Sequence, residues 1–392
     1  MFSGRVPVSL DPNALALALA AHRRDGRALL DLTRSNPTRA GFAYPSDLLT
    51  SLADRAGLDY APSPFGLTSA REAVAADFAR RGVDAAIDDI VLTSSTSEAY
   101  SLIFKLLCDP GDEVLIPRPS YPLFEYLTRL DAVDAVPYDL EYHGRWSVDI
   151  DSVARALSPR TRAVLIVNPN NPTGSFVSTP ELGALAALCA SREVAIISDD
   201  VFADYALSAE AAARAARLGD RPDVLGFTLG GLSKSIGLPQ AKLAWMLLTG
   251  PDALVAAARQ RLELIADTYL SVSTPVQVAA GRLLTEGAPV RQQIQQRLDT
   301  NLHHLRRQID DAPACQMLTL EGGWYAVLQV PSLMPEDELL LTLLSKDDVL
   351  VHPGFFFDFP RETFVIVSLL TPDAEFVEAT RRLLARCVPH QS

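Results

Sequence analysis

Lysine, cysteine and long apolar runs are scarce in this sequence, and each shortage excludes a class of protein. Only four of the 35 basic residues are lysines, and 48 acidic residues bring the net charge to −13. Such an acidic chain lacks the basic stripe of a nucleic-acid-binding surface and is not attracted to an anionic membrane. No apolar run approaches the roughly 18 residues that a transmembrane helix needs, so the sequence predicts no membrane span.

Cysteine and histidine are too scattered for a disulfide framework or a metal site. The six histidines form no HExxH motif, and there is no CxxC motif among the four cysteines, Cys108, Cys189, Cys315 and Cys387. Each cysteine lies in or beside an apolar stretch, which is typical of buried free thiols in a cytosolic protein. The N-terminus lacks the apolar core of a signal peptide. These features predict a cytoplasmic protein without a metal.

The central two-thirds of the 392 residues alternates short β-branched runs with longer amphipathic segments. This alternation predicts a mostly parallel sheet covered by helices on both faces. Two helix starts are indicated, by Ser69-x-x-Glu72 as a capping box and by Thr179-Pro180 as a cap followed by proline. Six central strands are predicted, at Asp89–Thr93, Glu113–Ile116, Ala163–Val167, Val194–Ser198, Val224–Thr228 and Lys242–Leu248.

The C-terminal third has a different pattern. From Thr274 to about Asp311 the sequence is typical of a long helix, which we expect to cross from one domain into the next. Strands are predicted beyond it at Trp324–Val330 and Phe364–Leu370, with helices between and after them; the last helix starts at Thr371-Pro372. This part of the chain therefore predicts a small α+β domain.

Lys234 is the leading candidate for amine chemistry. It lies on a small-residue turn just after the apolar stretch Val224–Leu229. Upstream, the chain contains the turn motif Asn168-Pro-Asn-Asn-Pro-Thr-Gly174 and an apolar run that ends in two carboxylates, Asp199 and Asp200. A lysine on a turn is usually a solvated surface group, but these three features in this order favour a functional role for Lys234.

This ordered set resembles the pyridoxal-phosphate-dependent aminotransferases of class I/II, the aspartate aminotransferase superfamily of fold type I. The similarity extends from about Ser35 to the C-terminus. It implies an α/β fold with a large cofactor domain, whose mostly parallel mixed sheet is flanked by helices, and a smaller α+β domain. The expected boundaries are 1–44 for an N-terminal arm and part of the small domain, 45–280 for the large domain and 281–392 for the C-terminal small domain.

The resemblance assigns cofactor roles to four residues. Lys234 matches the Schiff-base lysine, whose freed amine carries the substrate proton. Asp199 matches the carboxylate that keeps the pyridine nitrogen protonated. Asn171 matches the donor to the phenolic oxygen, and Tyr121 the aromatic residue that stacks on the ring. The alternatives stay open: a strand-end acid for Asp199, a proline-locked turn for Asn171 and a half-buried loop residue for Tyr121.

The cofactor phosphate needs N–H donors at the start of a helix. Ser95, Thr96 and Ser97 lie at such a start, although simple N-capping would also explain them. The resemblance adds Ser233, adjacent to the lysine, and Lys242, at the position where the family usually has an arginine. Tyr60 resembles the tyrosine that reaches the phosphate from a partner subunit, which implies a homodimer with shared active sites.

The sequence departs from the family pattern at several positions. Gly231 replaces a common serine, and Lys242 keeps a positive charge without the planar fork of arginine. Phe202 replaces a tyrosine, so the lysine-bound cofactor should have a higher pKa than is usual unless Tyr205 or another donor substitutes. Ile366 stands where the family has the arginine that pairs with the substrate α-carboxylate.

The loss of that arginine means that another cation binds the carboxylate, or that the carboxylate lies elsewhere or is absent. Arg34, Ser35 and Arg39 lie on the segment that lines the substrate entrance in similar enzymes, and one of the two arginines is our expected replacement. Tyr269 falls roughly where relatives specific for dicarboxylates have an arginine from the neighbouring subunit. The sequence therefore does not support specificity for aspartate or glutamate.

The function that the resemblance implies is transfer of an amino group from an amino acid to a 2-oxo acid. A lyase, decarboxylase or cyclising enzyme acting on an amino acid is the alternative, because the carboxylate arginine is missing. A scaffold that has lost its activity and serves in regulation is a third possibility. Retention of Lys234, Asp199 and Asn171 argues against it.

Overall fold

The computed structural model describes residues 2–361 and 363–387. Short, apolar strands form the centre of the fold. The α-helices are α1 Ala14–Arg24, α2 Thr68–Arg80, α3 Thr96–Leu107, α4 Leu123–Leu130, α5 Ile150–Ala156, α6 Thr179–Ala190, α7 Ala209–Arg214, α8 Leu232–Ser235, α9 Asp252–Tyr269, α10 Thr274–Glu286, α11 Ala288–Asp310, α12 Glu336–Asp347 and α13 Asp373–Cys387.

The strands belong to three sheets. They are β1 Leu30–Asp31, β2 Ile90–Thr93, β3 Glu113–Arg118, β4 Asp134–Tyr142, β5 Trp146–Val148, β6 Thr161–Val167, β7 Ala195–Asp199, β8 Gly226–Gly231, β9 Ala244–Thr249, β10 Gln316–Met317, β11 Tyr325–Gln329, β12 Val349–Leu350, β13 His352–Pro353 and β14 Phe364–Ser368. Short 3-10 helices span Pro37–Arg39, Thr50–Ala53, Arg55–Leu58, Ile87–Asp89, Leu218–Asp220, Pro239–Ala241 and Gly354–Phe357.

The largest sheet has eight strands in the order β2-β9-β8-β7-β6-β3-β4-β5. Its neighbours β8, β7, β6, β3 and β4 are parallel, whereas β9 and β5 run against their neighbours. Because β9 opposes both β2 and β8, the strands β2 and β8 point the same way. The carboxyl ends of β2, β3, β6, β7 and β8 therefore lie along one edge of the sheet.

Helices cover both faces of this sheet, as the alternation of its buried side chains requires. Leu165 and Ile197 pack in a core cluster with residues of α3 and α9. Their strand neighbours Val164 and Ile196 point to the other face and pack against α6. This two-sided burial explains why the central strands read as continuous apolar runs.

A second unit is built from both ends of the chain. A four-stranded antiparallel sheet has the order β10-β11-β14-β13. The N-terminal strand β1 pairs in parallel with β12, and α13 packs in the same core as these strands. Long helix α11 contributes buried residues Ile294, Leu298 and Leu302 to that core, so it joins the two parts of the fold.

The predicted α/β class is confirmed, and each of the predicted central strands is present with shifts at its ends. Strands β4 and β5 were missed; β4 contains Pro137 and has no regular alternation of buried and exposed residues. The long helical pattern is two helices that meet at Gly287. The capping box at Ser69 was wrong: α2 begins at Thr68, and no side chain caps it.

The second helix start differs by one residue. The cap of α6 is Ser178, which forms a capping box with Glu181, so Thr179 is already helical. The division of the chain at residues 44 and 280 stays a prediction. Within residues 2–361 and 363–387, no helix is long and apolar enough to cross a membrane. In the same residues, no group of three or more metal-binding side chains has the arrangement to hold a metal ion.

Candidate active site

The candidate site lies at the edge of the large sheet where five strands that point the same way end. In open α/β sheets, ligands bind outside the carboxyl ends of the strands. A cavity of about 460 Å³ occupies this place. It is lined by most of the residues that the sequence singled out, namely Ser35, Ser95, Thr96, Ser97, Tyr121, Asn171, Asp199, Ser233 and Lys234.

Lys234 lies on the short helix α8 directly after β8, with its amine buried at the cavity wall. The amine is 4.8 Å from the ring centroid of Trp324 and 5.4 Å from that of Phe202. Burial lowers the pKa of Lys234 to about 8, although the negative charge of Asp199 opposes this change. An amine with this pKa is neutral in roughly one molecule in five near pH 7.4, and the neutral form is able to act as nucleophile or base.

The backbone at Lys234 is held from behind by Tyr205. The Tyr205 hydroxyl donates a hydrogen bond of 2.6 Å to the carbonyl oxygen of Lys234. Tyr205 is fully buried and is not part of the cavity wall. The sequence had offered Tyr205 as a substitute for the hydroxyl missing at Phe202. The structure assigns that hydroxyl a structural contact instead.

Asp199 ends β7 and points into the same cavity. Its Oδ2 accepts a hydrogen bond of 2.8 Å from the hydroxyl of Tyr100, and its Oδ1 accepts one of 3.2 Å from the N–H of Val201. Burial raises the pKa of Asp199, while these two donors and the charge of Lys234 act in the opposite direction. A buried carboxylate with so little compensation favours a cationic N–H partner.

The neighbouring acid, Asp200, does not line the cavity. It accepts a hydrogen bond of 2.5 Å from the hydroxyl of Ser198, and burial raises its pKa to about 7. Successive side chains on a strand point to opposite sides, and this alternation places Asp199 rather than Asp200 in the site. The sequence-based preference for Asp199 over Asp200, which rested on this alternation, agrees with the position of Asp199 in the cavity wall.

Asn171 and Tyr121 come from neighbouring loops that brace each other. The Ser120 hydroxyl donates to Oδ1 of Asn170 over 3.2 Å, and Nδ2 of Asn170 donates to the carbonyl of Pro119. These contacts fix the loop that carries Tyr121. The Oδ1 atom of Asn171 is buried without a hydrogen-bond partner among the described residues, as expected of a side chain directed at a ligand.

The start of α3 forms another part of the wall. The Ser95 hydroxyl caps the helix by accepting a hydrogen bond of 3.1 Å from the N–H of Glu98. The capping alternative is therefore realised at Ser95. Thr96 and Ser97, in the first helical turn, also line the cavity, and a helix start with such residues is suited to an anion.

Lys242 and Tyr60 lie outside this cavity. Lys242 is exposed and ends a 3-10 helix in the left-handed conformation, at φ 53°. Tyr60 is 76% exposed and lines a separate small cavity together with Tyr269. Neither residue lines the cavity that contains Lys234, so their predicted contacts with a phosphate stay predictions.

Neither expected replacement for the carboxylate arginine reaches the cavity. The guanidinium of Arg34 donates to both carboxylate oxygens of Glu375 over 3.0 Å and to the carbonyl of Arg39 over 3.0 Å. Arg39 is exposed and outside the cavity wall. The expectation for Arg34 is therefore corrected, because its charge is already paired with an acid from α13. Only Ser35 of this segment lines the cavity.

Several wall residues were missed by the sequence analysis. Tyr100, Tyr325, His352, Phe356 and Phe357 line the cavity beside the predicted residues. Tyr100 lies one turn after Thr96 on the same helix, and this spacing is the signal that could have identified it. None of the described residues that line the cavity is an arginine.

Comparisons with known proteins agree with the arrangement. The family described as Aminotransferase class I and II matches residues 43–383. Glutamate-pyruvate aminotransferase AlaA of Escherichia coli K12 is 28% identical over 373 residues, which cover 92% of this chain and 91% of that protein. Human tyrosine aminotransferase is 26% identical, with 93% and 82% covered. The solved alanine aminotransferase of Pyrococcus furiosus superposes with a TM-score of 0.85 at 25% identity, covering 98% and 99%.

Proposed function

The chain belongs to the class I and II aminotransferases, and we propose that it transfers amino groups through pyridoxal 5'-phosphate held covalently by Lys234. The observation that supports this assignment is the joint burial of Lys234 and Asp199 at the carboxyl ends of adjacent strands, in one cavity. The amino-group transfer itself follows from the family. The roles of individual residues are our proposal.

The residues of the cavity fit this cofactor. The Lys234 amine matches its aldehyde, and the buried carboxylate of Asp199 matches a protonated ring nitrogen. Asn171 lines the same cavity, and its side-chain NH2 group would donate to the phenolic oxygen. Tyr121 offers a ring to stack on, and the phosphate finds N–H and hydroxyl donors at Ser95, Thr96, Ser97 and Ser233.

When bound, the cofactor supplies an electron sink for the carbanion that forms when the substrate loses its Cα proton. The protein supplies the base: Lys234, with a pKa of about 8, takes that proton and returns it as an acid. Asp199 holds a proton on the ring nitrogen through its charge. The aromatic wall around the amine, formed by Phe202 and Trp324, restricts water at the reacting atoms.

We propose an amino acid and a 2-oxo acid as the two substrates, as the names of the glutamate-pyruvate, alanine and tyrosine aminotransferase relatives suggest. The comparisons give no support to a lyase or decarboxylase over this activity. We also propose a cytoplasmic homodimer. In it the exposed Tyr60 and Lys242 would complete a phosphate site shared between subunits.

The test is the absorption spectrum of the purified protein with added cofactor. We expect a visible band from the lysine-bound cofactor, and its replacement by a near-ultraviolet band when a suitable amino acid is added without 2-oxo acid. Lys234→Ala should abolish the visible band. Lys346→Ala, which removes an exposed lysine on α12, should leave it unchanged. Release of ammonia or carbon dioxide instead of aminated cofactor would point to a lyase or decarboxylase.

A further inference from the structure

One face of the small antiparallel sheet forms a wall of the cavity. In the register of β13 with β14, His352 lies opposite Ile366, and in that of β11 with β14, Tyr325 lies opposite Ser368. Residues opposite each other in antiparallel strands share a face. Tyr325 and His352 therefore stand on the same face as Ile366, and both line the cavity.

Ile366 itself does not reach the cavity. It is fully buried in the core of the small sheet, and its apolar side chain offers nothing to a carboxylate. By the resemblance described above, other members of the family have a carboxylate-binding arginine at the position of Ile366. Its immediate cross-strand neighbour, His352, presents a polar ring at the cavity instead.

The ring of His352 is held firmly in place. It stacks on Phe356 with centroids 5.5 Å apart and an interplanar angle of 2°. Phe357 meets it edge-on at 5.6 Å, and the ring of Tyr325 lies 6.3 Å away. Burial lowers the pKa of His352, while the carboxylate of Asp31 and the Thr33 backbone favour its protonated form. A carboxylate arriving in the cavity would favour protonation further.

Two hydroxyl groups accompany the histidine. The side chains of Tyr325 and Ser35 both line the cavity beside His352. Imidazole and hydroxyl groups are able to donate hydrogen bonds to carboxylate oxygens. The nearby wall is apolar, with Leu123, Phe124, Leu127, Phe356 and Phe357. This wall has room for a hydrocarbon or aromatic side chain and contains no cation for a second carboxylate among its described residues.

We propose that His352, assisted by the Tyr325 and Ser35 hydroxyls, binds the substrate carboxylate in place of the arginine missing at position 366. The preferred amino donor is then a monocarboxylic amino acid with an apolar side chain. This inference rests on the proposed function, because it assumes that the cavity holds the amino acid substrate. His352 is a specificity-determining residue in this scheme, and Lys234 remains the base.

The direct test compares two unreactive probes, 3-phenylpropionate and its neutral analogue 3-phenylpropanamide, by calorimetric binding to the cofactor-loaded enzyme. His352→Phe keeps an aromatic ring against Phe356 but removes both ring nitrogens. We expect this change to raise the dissociation constant of 3-phenylpropionate about tenfold or more and that of 3-phenylpropanamide about twofold or less. His303→Ala, at an exposed histidine on α11, is the control and should change neither.

Kinetics provide a second measurement. In His352→Phe, the KM for phenylalanine should rise while kcat stays within about threefold of the wild-type value. The KM for phenethylamine, which lacks the carboxylate, should stay the same. His352→Gln, which retains an N–H donor, should recover part of the carboxylate affinity. If His352→Phe fails to fold, the same comparison between His352→Gln and His352→Leu decides the question.

Three results would overturn the inference. In His352→Phe, the affinity for both probes could fall equally, or the affinity for neither could fall. In the wild type, kcat/KM for glutamate could equal or exceed the values for phenylalanine and leucine. Failure of the proposed function looks different. In that case the wild-type protein would give no visible cofactor band and no response to any amino acid. A wild type that reacts with amino acids, but whose His352 variants bind the carboxylate normally, would reject only the role of His352.

Discussion

The hydroxyl of Tyr100 donates a hydrogen bond of 2.8 Å to Oδ2 of Asp199. Both side chains are buried, and the donor comes from α3, whose first turn also lines the cavity. Without this donor, the carboxylate would retain only the N–H of Val201 as a hydrogen-bond donor among the described residues. The proposed contact with the cofactor ring nitrogen therefore depends in part on Tyr100.

Tyr100→Phe should weaken cofactor binding about tenfold, because a hydrogen bond to a charged group contributes about 1.5–3 kcal/mol. Losing the donor raises the pKa of Asp199, so its carboxylate becomes protonated at a higher pH than in the wild type. When the solution is acidified, the cofactor affinity of the variant should therefore begin to fall at a higher pH. The measurement is a titration of the apoprotein with cofactor at several pH values. Tyr138→Phe is the control. It removes a buried hydroxyl that donates to the carbonyl of Leu165; Tyr138 lies in the core cluster on the α6 face of the sheet, so cofactor affinity should be unchanged.

The rate at which the apoprotein captures cofactor should rise with pH around a midpoint near 8. The pKa of Lys234 is lowered to about 8 by burial, so raising the pH from 7 to 9 converts its ammonium into the reactive neutral amine. Stopped-flow measurement of the visible band at constant ionic strength provides this profile. A lysine with an ordinary pKa would give a rate that is still climbing above pH 10.

Phe202→Tyr should lower the pKa of the lysine-bound cofactor by about one pH unit. The added hydroxyl would supply the donor that the wild type lacks, since the hydroxyl of Tyr205 is taken by the Lys234 carbonyl. A pH titration of the visible absorbance measures this pKa. Phe355→Tyr, at a half-exposed phenyl group outside the cavity, is the control. Equal midpoints in the wild type and Phe202→Tyr, or a higher one in the variant, would refute the role assigned to the missing hydroxyl.

Glu336→Gln should loosen the segment that carries Phe356 and Phe357. The buried Glu336 carboxylate accepts hydrogen bonds of 3.2 Å from the N–H groups of Phe355 and Thr363. An amide keeps one acceptor and adds a donor that faces N–H groups, so we expect the free energy of unfolding to fall by about 1–3 kcal/mol. The KM for an apolar amino donor should rise as well.

Urea denaturation and steady-state kinetics measure these two effects. Glu338→Gln, in the same helical turn but exposed, is the matched control and should behave like the wild type. Wild-type stability in Glu336→Gln would show that this carboxylate does not organise the segment.

Arg34→Ala should change stability rather than substrate affinity. Its guanidinium is paired with Glu375, and both side chains are about one-quarter exposed, so we expect a loss of about 1 kcal/mol. Dissociation constants for the carboxylate probe should stay within about twofold of the wild type in Arg34→Ala and Arg39→Ala. A tenfold weakening in either variant would return that arginine to the substrate site and weaken the case for His352.

The sequence by itself was sufficient for the fold class and for much of the cavity wall. The motif residues from Ser95 to Lys234 lie at the end of a largely apolar buried strand or within the four residues after it. Strands of this kind are recognisable from composition, and strands that run the same way bring their following residues to one edge. The strand pattern places Lys234, Asp199 and Asn171 at this edge, whereas their proposed roles come from the resemblance to the aminotransferase family.

Tertiary structure alone decided which side chains were free to meet a substrate. Arg34 is paired with Glu375, which is 341 positions away in the chain, and no local pattern predicts this ion pair. His352 lies on a strand of two residues, too short to show an alternation of polar and apolar positions, and only the register with Ile366 places it at the cavity. Local patterns fix the elements, whereas charge pairing and register depend on contacts between distant segments, and those contacts form only in the folded chain.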